Sequence, residues 1–321
     1  MGPDLKTVLL MDPIAAEGEA VLSTTLQVVK SPDSSHDTIR RLAKDADGII
    51  IRSKLPDDIF EAAPRVKAVA IHGTGTDLVP LQKANEHGVM VANLPGVNAQ
   101  SVAEYAVMAM LMLARNIVAI TSALRAEPWD EARRRGIVAW ELAGTTVGII
   151  GVGEIGRRVA RICRQGLDMQ VLGFQRNLSR LPEGVKGVSL ENLLKESDFV
   201  VLCCPLTPET RHLINERTLG LMKPGAWIIN VGRGAVVNED ALIDSLKAKR
   251  IAGAMLDVYE HYRLPPGHEL FKLDNVILTP HLAAVTRQAR ARASVAAAGE
   301  MLRMLAGERP HNLVNPEALN T

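Results

Sequence analysis

The sequence predicts an α/β protein built from two doubly wound parallel-sheet units, and three observations lead there. The chain has 321 residues, more than a single hydrophobic core usually organises, so about two domains are expected. Short apolar runs alternate with helical stretches almost from end to end, the pattern of parallel strands covered by helices on both faces. A glycine cluster, Gly151, Gly153 and Gly156, directly follows one apolar run and opens a helical one, the setting in which that spacing carries information.

In chain order, the apolar runs at 7–11, 28–30, 48–51, 68–71 and 90–92 read as strands, each bounded by Gly, Pro, Asp or Asn. They make one small doubly wound unit. After Asn93-Leu94-Pro95-Gly96, residues 99–116 form an Ala/Met/Leu-rich helical pattern with Ser101 near its start, and this helix opens the second unit. Its Met108, Met110 and Met112 read as core or as dimer contact rather than chemistry, and Arg133-Arg134-Arg135 as a solvated charge run. The second unit is expected to hold six strands, at 146–150, 170–174, 199–203, 227–230, 253–256 and 276–278. An Ala-rich helix over 290–305 follows the sixth and packs back on the first unit if that domain is discontinuous. The domain boundaries that follow are 1–96 with 288–321, and 97–287.

Composition narrows the function classes. The 37 basic and 36 acidic residues leave a formal charge of +1, which gives no field for tracking nucleic acid or an anionic membrane. Cys163, Cys203 and Cys204 lack metal-ligand spacing and read as reduced thiols, so no metal site is expected. The run at 7–11 is too short for a signal-peptide core, and no run approaches the ~20 apolar residues of a membrane span. The chain reads as a soluble cytoplasmic protein of enzyme size with neither nucleic acid nor membrane as a partner.

The glycine cluster implies a dinucleotide. Gly151 takes the tight turn, Gly153 lets the backbone approach a pyrophosphate, and Gly156 allows close helix packing, with Glu154 and Ile155 between them at the helix start. A fold that prefers NAD usually ends its second strand in an acidic residue that accepts from the ribose hydroxyls. Here that residue is Gln175, and its amide does not repel a 2′-phosphate. Arg176, with Asn177 and Arg180, supplies donors for one. NADP(H) is the expected cofactor, with NAD(H) as the alternative if Arg176 merely stacks on adenine.

Three more segments end predicted strands where ligands bind in open α/β sheets: Asn230-Val231-Gly232-Arg233-Gly234, Leu256-Asp257-Val258-Tyr259 and Leu278-Thr279-Pro280-His281. Together with His72-Gly73-Thr74-Gly75-Thr76-Asp77, Pro95-Gly96-Val97-Asn98 and Val102-Ala103-Glu104, they resemble the D-isomer-specific 2-hydroxyacid dehydrogenases, and within that family the glyoxylate/hydroxypyruvate reductase-like members. The resemblance spans about residues 48–285. It implies a Rossmann-type nucleotide-binding domain, a smaller flavodoxin-like substrate domain and a homodimer formed through the region of the 99–116 helix. It also implies hydride transfer between NAD(P)H and a small 2-oxo or D-2-hydroxy acid.

Such a reduction needs a cation to hold the carboxylate and polarise the carbonyl, and a proton donor for the oxygen as hydride arrives. Arg233 fits the first need, because its planar fork suits a carboxylate, and His281 fits the second. The resemblance further implies substrate contacts from Arg52, Ser53, Thr74 and Gly75. It implies cofactor contacts from Cys204, Pro205, Val231, Gly232, Asp257 and Ala283, as well as from Arg233 and His281, with Asp257 facing the nicotinamide amide. One departure stands out: the family places a glutamate five residues after the aspartate of L-D-V-F/Y, where it holds the histidine, and here that residue is Tyr262. Glu260, two residues away, would point elsewhere on an extended chain. Without a paired carboxylate the imidazolium loses support, so the proton affinity of His281 and the pH optimum for reduction are expected to fall. The competing readings are a cofactor-binding corepressor or scaffold on the same fold, and a formate or phosphite dehydrogenase differing in its substrate loops.

Overall fold

A computed structural model describes residues 5–320; residues 1–4 and 321, which the sequence reading assigned to the substrate domain, lie outside the described residues. The chain divides into two compact units, Met1–Asn98 with Val285–Thr321, and Ala99–Ala284.

The first unit is a five-stranded sheet of β1 (Thr7–Leu10), β2 (Gln27–Lys30), β3 (Gly48–Ile51), β4 (Ala68–Ile71) and β5 (Met90–Ala92), in the order β2-β1-β3-β4-β5 with every pairing parallel. That is the flavodoxin-like order. β3 and β4 are buried at every position, which is why both read as unbroken apolar runs instead of alternating. Ile49, Ile51, Val69 and Ile71 pack with Phe60 on one face, while Ile50, Ala68 and Ala70 pack with Ala297 and Met301 on the other. Those last two come from helix Arg287–Leu305, which starts three residues before the expected 290 because the Thr286 side chain accepts from the Ala289 N–H at 3.1 Å. Small residues let it lie close: a Cβ on Gly48 would stand 2.4 Å from the Met301 sulfur.

The second unit is a seven-stranded parallel sheet of β6 (Thr146–Ile150), β7 (Gln170–Phe174), β8 (Lys186–Gly187), β9 (Phe199–Leu202), β10 (Trp227–Asn230), β11 (Gly253–Leu256) and β12 (Val276–Leu278). Its order is β12-β11-β10-β9-β6-β7-β8, a Rossmann-type arrangement that reverses direction between β6 and β9. The sequence reading expected six strands and lacked β8, whose two residues are both exposed and carry no apolar signal. The long helix expected over 99–116 stops at Ala114. Asn116 adopts the left-handed conformation at φ 49°, and a second helix, Ile117–Ala126, leaves at 55° to the first. Among the described residues, no single helix is long and apolar enough to cross a membrane. The methionines divide, Met110 being fully buried and Met108 39% exposed.

Candidate active site

In the seven-stranded unit the candidate residues collect at the carboxyl ends of β6, β9, β10, β11 and β12. At the end of β6, Gly151 has φ +91°, and a Cβ there would stand 2.7 Å from the Cys204 backbone. Only glycine meets both conditions without strain. Gly156 lies as close to the Gly151 carbonyl, 2.4 Å from an added Cβ, whereas Gly153 faces open space. Helix Glu154–Gly166 begins there with no side-chain cap, so its first N–H groups face outward with the dipole behind them. A turn closed at two glycines and open at the third is a cradle that fits a pyrophosphate. Glu154 pairs with Arg158 at 2.8 Å, an ion pair that pulls its carboxyl below the usual range, and Ile155 packs on the core beneath.

At the end of β7, the Gln175 amide donates to the Asn177 carbonyl at 2.8 Å, and the Asn177 side-chain oxygen accepts from the Ser179 N–H at 3.0 Å and the Ser179 hydroxyl at 2.7 Å. Asn177 is thereby a turn cap, which leaves Gln175 and Arg176 as the polar groups of this strand end. The Arg176 charge is felt by Glu209, whose carboxyl is lowered first by its bond from the Thr207 hydroxyl. Cys204 and Pro205 follow β9. Burial pushes the Cys204 thiol up to about 11, so it is not a thiolate at neutral pH. Cys163 is pushed up to about 12 by the same cause.

The Arg233 turn is held by Asn230, which is 1% exposed. Its side chain accepts from the Gly232 N–H at 3.1 Å and donates to the Arg233 carbonyl at 3.0 Å. The Arg233 guanidinium donates to the Gly232 carbonyl at 3.0 Å, and Val231 is buried beside it. The next residue, Gly234, lies so close to the Tyr259–Glu260 peptide that a Cβ would overlap it, 1.8 Å from the Tyr259 carbonyl oxygen. The Arg233 turn and the segment leading to Tyr262 are thereby packed backbone on backbone.

His281 sits in a loop organised by Asp257. That carboxylate, 1% exposed, accepts from the Thr279 hydroxyl at 2.8 Å, the Leu282 N–H at 2.7 Å and the Ala283 N–H at 2.8 Å. The Asp257 carbonyl accepts from the His281 N–H at 2.9 Å. These bonds flank His281 and hold it at φ 57°, a conformation that a side chain rarely adopts unless its surroundings impose it. The Tyr105 hydroxyl bonds to Thr279 and extends the network. Three of the Asp257 lone pairs thus brace the histidine loop.

Tyr262 is 68% exposed and meets His281 edge to face, with ring centroids 6.1 Å apart at 71°. It stands over a surface pocket of about 420 Å³ shared with Tyr259, Phe271, Pro280 and His281. Glu260 is committed elsewhere, to the His212 ring at 2.6 Å and the Glu239 N–H at 3.2 Å. Glu239 returns the bond by accepting from the Glu260 N–H at 3.3 Å, and its other oxygen lies 3.3 Å from the His268 ring.

In the five-stranded unit, Arg52 and Ser53 follow β3, and their N–H groups donate to Asp12 at 2.8 and 3.0 Å, joined by the Ser53 hydroxyl at 2.8 Å. Thr74 and Gly75 follow β4, with the Thr74 hydroxyl on the Leu94 carbonyl at 3.1 Å. All four lie at the carboxyl edge of that sheet. Sequence reasoning did not anticipate the braces, namely Asn230, Thr279, Tyr105 and Asp12. Thr279 adjoins the histidine motif and could have been found, whereas nothing local marks Tyr105, 174 residues away.

The sequence model of the D-isomer specific 2-hydroxyacid dehydrogenase NAD binding domain matches residues 107–283. A glyoxylate reductase of Thermofilum pendens is 37% identical over 294 residues, covering 90% of this chain and 86% of that protein. A D-3-phosphoglycerate dehydrogenase of Methanocaldococcus jannaschii is 35% identical over 314 residues, 96% of this chain, and the chain spans 59% of its length. The crystal structure of an NADPH-dependent glyoxylate/hydroxypyruvate reductase from Sinorhizobium meliloti, in complex with NADP and malonate, aligns with a TM-score of 0.85 and 27% identity, covering 98% of each chain.

Proposed function

Because the chain belongs to the D-isomer specific 2-hydroxyacid dehydrogenase family, a family of NAD(P)-dependent oxidoreductases, we propose that it reduces a small 2-oxo acid such as glyoxylate or hydroxypyruvate to the 2-hydroxy acid, with Arg233 and His281 as its working side chains. The observation that carries this reading is the bracing of those two residues, Arg233 by Asn230 and His281 by Asp257, at the carboxyl ends of β10 and β12, with β11 between them in one sheet. Reduced nicotinamide, held at Gly151, Gly153 and Gly156, would supply the hydride. The Arg233 fork holds the substrate carboxylate and draws electron density from the adjacent carbonyl. His281 then gives its proton to the carbonyl oxygen as the hydride reaches carbon, so the product leaves as a neutral hydroxyl and the imidazole is left to be reprotonated from solvent. We assign Arg52, Ser53, Thr74 and Gly75 to substrate contact and the five-stranded unit to substrate binding.

NADP(H) is the preferred cofactor in this reading, since Gln175 brings no charge against a 2′-phosphate and Arg176 offers a guanidinium beside it. A homodimer belongs to this reading and is supported by the exposed apolar side chains after residue 116, with Ile117 44%, Trp129 64%, Ile137 78% and Val138 71% exposed. Solvent-facing patches of this kind mark association sites. The test is initial-rate oxidation of NADPH and NADH with glyoxylate and hydroxypyruvate: turnover that is faster with NADPH supports the reading, and tight cofactor binding without turnover on any 2-oxo acid refutes it in favour of a cofactor-binding scaffold.

A further inference from the structure

We infer that Glu260 is a positioning residue for Arg233: with Glu239, His212 and His268 it forms a clasp that fixes the chain running from Arg233 to the helix Glu239–Lys247. The inference rests on the reductase reading for the role of Arg233 and adds the residues that set its turn.

The clasp closes on both ends of this segment. At its start Gly234, the residue after Arg233, lies directly against the Tyr259–Glu260 peptide. At its end two carboxylates exchange bonds with each other's backbone, Glu260 accepting from the Glu239 N–H at 3.2 Å and Glu239 from the Glu260 N–H at 3.3 Å. The Glu239 N–H lies in the first turn of its helix, where no intrahelical acceptor exists, so Glu260 supplies one from another part of the chain. Between the two ends, the carbonyls of Ala235 and Val236 accept from the His212 N–H at 2.9 Å and the Ile214 N–H at 3.1 Å.

Each carboxylate then ends on an imidazole. The His212 Nε2 is 2.6 Å from Glu260, and since a carboxylate only accepts, the ring donates. The His268 Nε2 is 3.3 Å from Glu239, while its Nδ1 accepts from the Leu270 N–H at 3.3 Å, so this ring carries its proton on Nε2. Two carboxylates joined in this way repel each other; the imidazole donors and the Arg211 guanidinium, 3.8 Å from Glu260, offset that repulsion. Burial pushes the Glu260 carboxyl up, but the bonds from His212 and the Glu239 N–H outweigh it and hold the group below the usual carboxylate range. Exposed ion pairs contribute little, whereas Glu239 is 9% exposed and the Glu260 side chain 20%.

His212 also stands at φ 50°, which a side chain rarely adopts unless its surroundings impose it. Its ring is tied to Glu260, and its carbonyl accepts from the Asn215 amide at 2.9 Å. Strain kept at a residue bonded both to Glu260 and to the Arg233 segment points to precise placement of that segment. Placement matters because a guanidinium fork displaced by about 1 Å loses a carboxylate's geometry, at a cost of up to about 100-fold in rate. His281 is braced separately by Asp257, so the effect belongs to Arg233.

The test is a double-substitution cycle on kcat/KM for glyoxylate and hydroxypyruvate. Glu260→Ala is expected to lower kcat/KM by about 10- to 100-fold, with the NADPH Kd within about threefold of wild type and the shape of the pH profile kept. Glu260→Gln, which retains one acceptor oxygen, should recover part of the loss. In an Arg233→Gln background, where the guanidinium is already gone, Glu260→Ala is expected to cost less than about threefold. A loss as large there as in the wild type, or no loss in the wild type, overturns the proposal. If Glu260→Ala does not fold, His212→Gly, which relieves the backbone while removing the ring, carries the same cycle with an expected loss of about 3- to 10-fold. If NADPH binds but no 2-oxo acid turns over, the reductase reading fails by itself, and amide hydrogen exchange decides the clasp. Exchange across residues 232–239 at least about 10-fold faster in Glu260→Ala, with that of β6 unchanged, upholds it; equal exchange across 232–239 overturns it.

Discussion

Tyr262 stands where related dehydrogenases are expected to carry the carboxylate that supports the catalytic histidine, and it offers His281 a ring in place of a charge. An aromatic edge orients an imidazole but does not stabilise its protonated form as an anion would. Substituting Tyr262→Glu is predicted to move the alkaline limb of the reduction pH profile upward by about one unit; a profile that does not move would show that another group supports the ring. The places of Arg233 and His281 just beyond β10 and β12 were legible in the sequence, because each follows an apolar run that reads as a strand. The Asp257 brace was not, because its three donors come from Thr279, Leu282 and Ala283, more than 20 residues on, and only the pairing of β11 with β12 brings them there.

At the scale of elements, apolar strands announced themselves, and β3, β4, β6, β7, β10, β11 and β12 have the limits their apolar runs predicted. Elements defined by pairing alone did not: β8 exists because Leu172 and Gly173 offer an edge to Lys186 and Gly187. The junction of helix Arg287–Leu305 with its sheet carries a pH signature. His72 falls from an ordinary value of 6.5 to about 4 on folding, through burial and then the Arg52 charge. The unfolded chain thus binds this proton at a pH where the folded chain does not. The stabilisation is complete above pH 6.5 and is lost as pH falls toward 4, by up to about 3 kcal/mol. Denaturant titrations between pH 7 and pH 4 should show this loss in the wild type and a flatter dependence in His72→Gln; parallel curves for the two proteins would contradict it.

At the scale of the whole molecule, the exposed apolar residues of the second unit predict self-association. Replacing Ile137 and Val138 together by Asp should convert a dimer into a monomer in sedimentation, while leaving cofactor affinity within about threefold because neither residue is among those assigned to the cofactor. An unchanged sedimentation coefficient would place the interface elsewhere. The family resemblance points to the region of the 99–116 helix for such contact, and the exposed apolar side chains Ile117, Trp129, Ile137 and Val138 follow that helix in the chain.

Delivery of the proton by the braced His281 in a nicotinamide-dependent reduction is tested by the initial rate of NADPH oxidation with glyoxylate and hydroxypyruvate in the wild type and in His281→Gln. Turnover by the wild type and a loss of about 10²- to 10⁴-fold in the variant are expected, with NADPH affinity retained. Equal rates in the two proteins, or no turnover by a wild type that binds NADPH, would contradict it.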